Sequence, residues 1–75
     1  VKELIEFIAK SLVDDPTEVR VEEYDRREHV IIELSVAKED MGRVIGRHGR
    51  IANAMRSLLR ASASREDKRA SLDII

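Results

Sequence analysis

Apolar positions recur along this chain with two different periods. From Val1 to Val13, the residues Val1, Leu4, Ile5, Ile8 and Leu12 share one face at about 100° per residue, the signature of an amphipathic helix. Asp14-Asp15-Pro16 ends it, because the residue before a proline avoids helical dihedrals. From Thr17 to Tyr24 the period falls to two, with Val19 and Val21 alternating against Glu18, Arg20 and Glu22. Asp25-Arg26-Arg27-Glu28 is a polar turn, and His29–Val36 alternates again. Val30, Ile32, Leu34 and Val36 point one way, and His29, Ile31, Glu33 and Ser35 the other. So short a turn predicts an antiparallel hairpin.

The helical period returns over Glu39–Ile45, is interrupted at Gly46–Gly49, and resumes over Arg50–Ala63. Ser64–Lys68 is a charged loop, and Arg69–Ile75 a last strand with Leu72 and Ile74 inward. The order is α-β-β-α-α-β. A strand, two helices and a strand within one sheet demand a parallel, right-handed crossover. The expected fold is α+β: a three-stranded mixed sheet with three helices packed on one face, residues 1–75 forming one domain. Within the long helix, Ala52, Met55 and Leu59 should face the sheet. Ile51, Ala54, Leu58 and Ala61 lie on another flank at the i, i+3, i+7, i+10 spacing of a helix–helix seam. A homodimer built on that flank is one reading; a wide core stripe is the other.

Composition sharpens the picture in one respect. The net charge is −1, but residues 1–40 carry 6 basic and 12 acidic side chains (−6), and residues 41–75 carry 8 and 3 (+5). Between Met41 and Arg60 stand Arg43, Arg47, Arg50, Arg56 and Arg60 with no acid among them. A localised basic surface of this kind suits nucleic acid even where the whole chain is mildly acidic. Phe7 and Tyr24 are the only aromatics, so no stacking platform is expected. There is no cysteine, which excludes disulfides and thiolate metal sites, and His29 and His48 have no ligand-spaced companions. No cofactor or metal is expected. No apolar run approaches membrane-spanning length, and a cytoplasmic location is the plain expectation.

Gly46-Arg47-His48-Gly49 is the chemically informative segment. Glycines let a ligand backbone approach closely and make positive φ accessible. The helix that follows offers unpaired N–H groups and its positive dipole end. Arg47, His48 and Arg50 add donors, Arg43 stands one turn before, and Val44 and Ile45 would give apolar contact to bases. No nucleophile or orienting carboxylate accompanies His48, so no enzyme is expected. A Walker-type phosphate loop would end in Gly-Lys-Ser/Thr, and Gly49-Arg50-Ile51 does not. Gly42, inside a short helix, reads as a point of close helix packing or strand approach.

The run Val44-Ile45-Gly46-Arg47-His48-Gly49-Arg50 resembles the KH signature: a hydrophobic pair, Gly, two polar residues, Gly and a basic residue. The αββααβ order is similar to the type II, bacterial-style KH fold, and Asp40–Arg56 further resembles the small stand-alone bacterial KhpA (YlqC-like) family. Many KH domains carry large aliphatics three and six residues after the second glycine. Here Ala52 and Met55 stand there, which implies closer helix–sheet packing and a shallower groove floor. The resemblance implies binding of single-stranded RNA by a loop that clamps four backbone nucleotides. It also implies loose sequence preference and a role as post-transcriptional regulator or RNA chaperone. Self-association, pairing with a KhpB (Jag)-like KH protein, and a link to cell shape in Gram-positive bacteria are implied in the same way. The competing reading is a protein-interaction module in which RNA binding is secondary.

Overall fold

The computed structural model describes all residues 1–75. The elements, in chain order, are α1 (Lys2–Leu12), β1 (Arg20–Arg26), β2 (His29–Ser35), α2 (Met41–Ile45), α3 (Arg50–Ser64) and β3 (Arg69–Ile74). Short 3₁₀ turns at Pro16–Glu18, Lys38–Asp40 and Arg47–Gly49 punctuate them. The expected order, α-β-β-α-α-β, is the observed one. The strands lie in the order β1-β2-β3, with β1 antiparallel and β3 parallel to β2.

The sheet presents one face to the helices. Val21 on β1, Ile32 and Leu34 on β2 and Leu72 on β3 are buried beneath Ile5 and Ala9 of α1, Val44 of α2, and Met55 and Leu59 of α3. Ala52 and Ala63 continue the buried stripe of α3. Ala52 adds little bulk at a fully packed position, which suits close contact between helix and sheet. The other sheet face is open to solvent, with Glu22, Tyr24, His29, Arg69 and Asp73 exposed.

Three boundaries and faces differ from the sequence reading. The first strand begins at Arg20 rather than Thr17. Pro16 supplies the preset φ of a first helical position, and the Asp15 carboxylate accepts the Thr17 N–H at 3.2 Å, so Pro16–Glu18 turns instead of extending. The buried face of α1 centres on Ile5 and Ala9, and Leu4 is rotated out to 45% exposure, with Phe7 at 70%. The strands run on to a two-residue turn, Arg27-Glu28, flanked by the Arg26–His29 pair.

The core fills only part of the inner sheet face. Toward the hairpin tip, Glu23 stands opposite Ile32 and Asp25 opposite Val30, so carboxylates replace apolar side chains on the helix side of β1. A cavity of about 350 Å³ opens there, bordered by Glu23, Asp25, Val30, Leu59 and Ala63. Lys68, in the turn before β3, reaches across to Asp25 at 3.0 Å and 3.1 Å. That hydrogen bond, outweighing the opposing effect of desolvation, holds the Lys68 pKa above its ordinary value. No helix is long and apolar enough to cross a membrane.

Candidate nucleic-acid interface

The Gly46–Gly49 loop has a backbone that few sequences could adopt. Gly46 has φ 78° and ψ 167°, and a Cβ there would lie 2.7 Å from Ile51 Cγ1 and 2.9 Å from the Ile51 nitrogen. Glycine is therefore required twice over, by dihedral and by space. Gly49 is left-handed, with φ 74° and ψ 14°, and forms the N-cap of α3. His48, between them, is left-handed too, at φ 58° and ψ 24°. Histidine is one of the few side chains enriched in that region. The turn is closed by Gly46 N–H to Gly42 C=O at 2.9 Å and Gly49 N–H to Gly46 C=O at 3.1 Å.

This geometry projects Arg47 and His48 into solvent at the start of α3, whose first turn has no side-chain cap. The 15-residue helix directs its positive end toward the loop. Arg47 and Arg50 are exposed and enter none of the ion pairs of the chain. The loop thus combines two free guanidiniums, an imidazole, a helix N-terminus and two glycines that allow close approach. Anionic oxygen is the chemistry such a group receives.

Two of the expected site residues sit differently. Val44 is 0% exposed, locked in the core, because α2 turns that side toward the sheet. Of the pair, only Ile45 reaches the surface, half-buried. Arg43 is paired, with Nη2 at 3.0 Å from Asp14 and Nε at 3.5 Å from Asp40. Its charge is largely answered within the protein. Gly42, expected at a close contact, is exposed, and a Cβ there would meet nothing within 4 Å. α2 presents its opposite side, through Val44, to the core, which leaves Gly42 facing open space.

On the flank of α3 singled out by its spacing, Ala54, Leu58 and Ala61 are exposed, Leu58 at 46%, while Ile51 packs against Gly46 and the core. Leu58 and Ala61 join Leu4 of α1 around a shallow apolar depression. The core stripe is therefore narrow at these positions. The sequence reading missed the burial of Asp40, whose two backbone donors, the N–H groups of Asp14 and Asp15, lie more than twenty positions away. It also missed the hydrogen bonds from Arg56 to the Leu72 carbonyl, at 3.4 Å from both Nε and Nη2.

A three-stranded mixed sheet covered on one face by three helices, with a glycine-bounded loop between the second and third, defines a KH domain of the type II arrangement. The chain belongs to the family described as "KhpA/KhpB, KH domain", whose model matches residues 2–74. It is 54% identical over 74 residues to the RNA-binding protein KhpA of Clostridium acetobutylicum, covering 99% of each chain. It is 53% identical to the protein of the same name from Caldanaerobacter subterraneus, covering 97% of each. With that of Borreliella burgdorferi it shares 48% identity over 97% of this chain and 89% of the other. No solved structure matches the chain.

Proposed function

We propose that this chain is an RNA-binding protein that holds single-stranded RNA by its backbone at the Gly46–Gly49 loop. The carrying observation is the succession of left-handed His48 and Gly49 between two unpaired arginines at the N-terminus of α3. KH domains clamp about four backbone nucleotides with such a loop. Arg47, His48 and Arg50 receive phosphates, Ile45 touches a base, and Gly46 and Gly49 give the strand room. With Arg43 answered by Asp14 and Asp40, its part is secondary. Residues 1–75 act as one KH unit without catalysis, in the cytoplasm, as a post-transcriptional regulator or RNA chaperone of loose sequence preference.

The test is Arg47→Asp/His48→Asp. Aspartate tolerates the left-handed region, so the loop survives while two anions replace two donors. RNA affinity should fall at least about a hundredfold, with the far-UV spectrum unchanged, on the scale of several lost charge-assisted contacts. A folded double variant that binds like the parent overturns the clamp. Phosphate contacts from Arg47 and Arg50 should also give log K a slope against log salt of about −1.4, at about −0.7 each.

A second reading is self-association, favoured by the exposure of Leu58 beside Leu4. Small Ala54 and Ala61 flank exposed Leu58, which lets a twin helix approach along α3, while Ile51 is turned toward Gly46 and the core. The same face would serve a KhpB-like KH partner, and the two readings are compatible because Leu58 and Ala61 lie more than two helical turns along α3 from the loop.

A further inference from the structure

The outer face of the sheet, away from all three helices, carries charges that the fold leaves unanswered. Strand register sets its side chains in rows. Arg26, His29 and Arg69 form one row, Tyr24, Ile31 and Ser71 the next, and Glu22, Glu33 and Asp73 the third. Neighbouring strands lie about 4.8 Å apart, so like charges stand side by side within each outer row, which costs stability in an isolated sheet. The basic and acidic rows are separated by about 13 Å along the strands, too far to pair with each other. Accordingly, Arg26, Arg69, Glu22, Glu33 and Asp73 enter no ion pair, and neither does Arg20, beyond the acidic row on β1. His29 Nε2 lies 3.2 Å from the Ser71 hydroxyl. Between the charged rows, Tyr24 is 44% exposed and Ile31 half-buried, so the apolar surface of this face is central.

Stacked sheets keep their strands roughly aligned, which leaves two symmetric ways to lay this face on a copy of itself. A two-fold axis along the strands puts basic row on basic row and acidic on acidic. A two-fold axis along the Tyr24–Ile31–Ser71 row inverts the order. It sets Arg26 over the second copy's Glu22, His29 over its Glu33 and Arg69 over its Asp73, while Tyr24 and Ile31 meet their own counterparts. Two ion pairs and one imidazole–carboxylate contact result, each repeated by symmetry, and both like-charge rows gain opposite charge. The face is otherwise balanced, with Arg20, Arg26 and Arg69 against Glu22, Glu33 and Asp73, so a polyanion or a polycation gains no net attraction.

We propose that the outer sheet face binds a second copy of this chain, face to face, about a two-fold axis along the Tyr24–Ile31–Ser71 row. The contact is independent of the RNA reading and separate from the α3 flank, because the flank and the Gly46–Gly49 loop both belong to the helix layer. Three short strands give a footprint of about 14 by 20 Å, which places the contact in the weak, transient class, populated where the chain is concentrated. Used together, the sheet face and the α3 flank link KH units into open chains with every loop free.

The experiment is sedimentation equilibrium on chains carrying Leu58→Glu, which silences the α3 flank, at up to about 1 mM as so small a footprint requires. The unaltered sheet face should associate in about 0.1 M salt and cease to in about 1 M, where the screening length falls from about 10 Å to about 3 Å. Arg26→Glu/Arg69→Glu makes both outer rows acidic, and Glu22→Arg/Asp73→Arg makes both predominantly basic. All four residues are exposed. Each double variant alone should associate at least about tenfold more weakly. An equimolar mixture of the two should recover the association as a heterodimer, since the arginine–carboxylate pairs re-form with signs exchanged. Glu18→Arg/Glu39→Arg adds the same charge at exposed, unpaired positions off the face. It should pair with the acidic variant at least about tenfold more weakly than the basic variant does. A mixture no better than its components, equal pairing by the off-face variant, or association that persists in 1 M salt overturns the contact. So does an unaltered face that stays monomeric at about 1 mM, a measurement that needs no sheet-face variant to fold.

Discussion

Asp40 holds Arg43 at 3.5 Å from a position only 2% exposed, and the same carboxylate accepts the backbone N–H groups of Asp14 and Asp15 at 3.2 Å each. Arg43 in turn reaches Asp14 at 3.0 Å. One buried acid thus ties the end of the first helical segment to the start of α2, directly before the loop that carries the proposed function.

Removing that acid should be costly. Asp40→Ala leaves two backbone donors without their acceptor and a guanidinium with one partner fewer, for a loss of about 2 to 3 kcal/mol. Asp40→Asn keeps an oxygen in place and should lose less, about 1 kcal/mol, as a neutral hydrogen bond replaces a charge-assisted one. Urea titration of the three proteins checks the ranking. An alanine variant as stable as the parent would mean that water replaces the carboxylate without loss.

The three glycines should respond to alanine with different signs. Gly42→Ala meets open space in a helical position and should stabilise by up to about 1 kcal/mol. Gly49→Ala must enter the left-handed region, at about 1 to 2 kcal/mol. Gly46→Ala bears a similar dihedral strain and a clash with the Ile51 backbone, and should cost most. Thermal melts give the order. RNA binding on Gly42→Ala reads a second property: reduced affinity without reduced stability would place the strand across α2.

Leu58→Glu tests the α3 face. With Leu58 46% exposed, the monomer fold should tolerate the charge within about 0.5 kcal/mol. Light scattering should then report a dimer for the parent and a monomer for the variant. A parent that is monomeric at high concentration ends the dimer reading.

Lys68 gives the fold an alkaline limit. Its folded pKa is raised by the hydrogen bond to Asp25 above the ordinary 10.5. The stabilisation is therefore complete below that ordinary value and is lost as pH rises through the higher folded one. The urea midpoint of the parent should fall relative to that of Lys68→Met as pH is taken above about 10.5, while the difference between them stays constant from neutral pH to 9. A difference that does not shrink in alkali would assign the Lys68 contribution to packing of its stem.

Local pattern determined a great deal of this protein. The two apolar periods mark where helices and strands lie, the alternation in His29–Val36 assigns the inner face of β2, and Gly46 and Gly49 mark the loop, because these features depend on residues within a turn or two of one another. Ala52, Met55 and Leu59 were readable as the inner stripe of α3 for the same reason. What distinguishes Arg43 from Arg50 was only partly readable: Asp40 stands three residues before Arg43, but only the fold brings Asp14 to it as well and leaves Arg50 free. Nor did the Val44-Ile45 pair reveal which member is buried, since α2 is too short for a period to define its face. Tertiary structure decided these points because ion pairs and burial are set by elements that meet across 25 or more residues of chain, where spacing in sequence carries no information about distance in space.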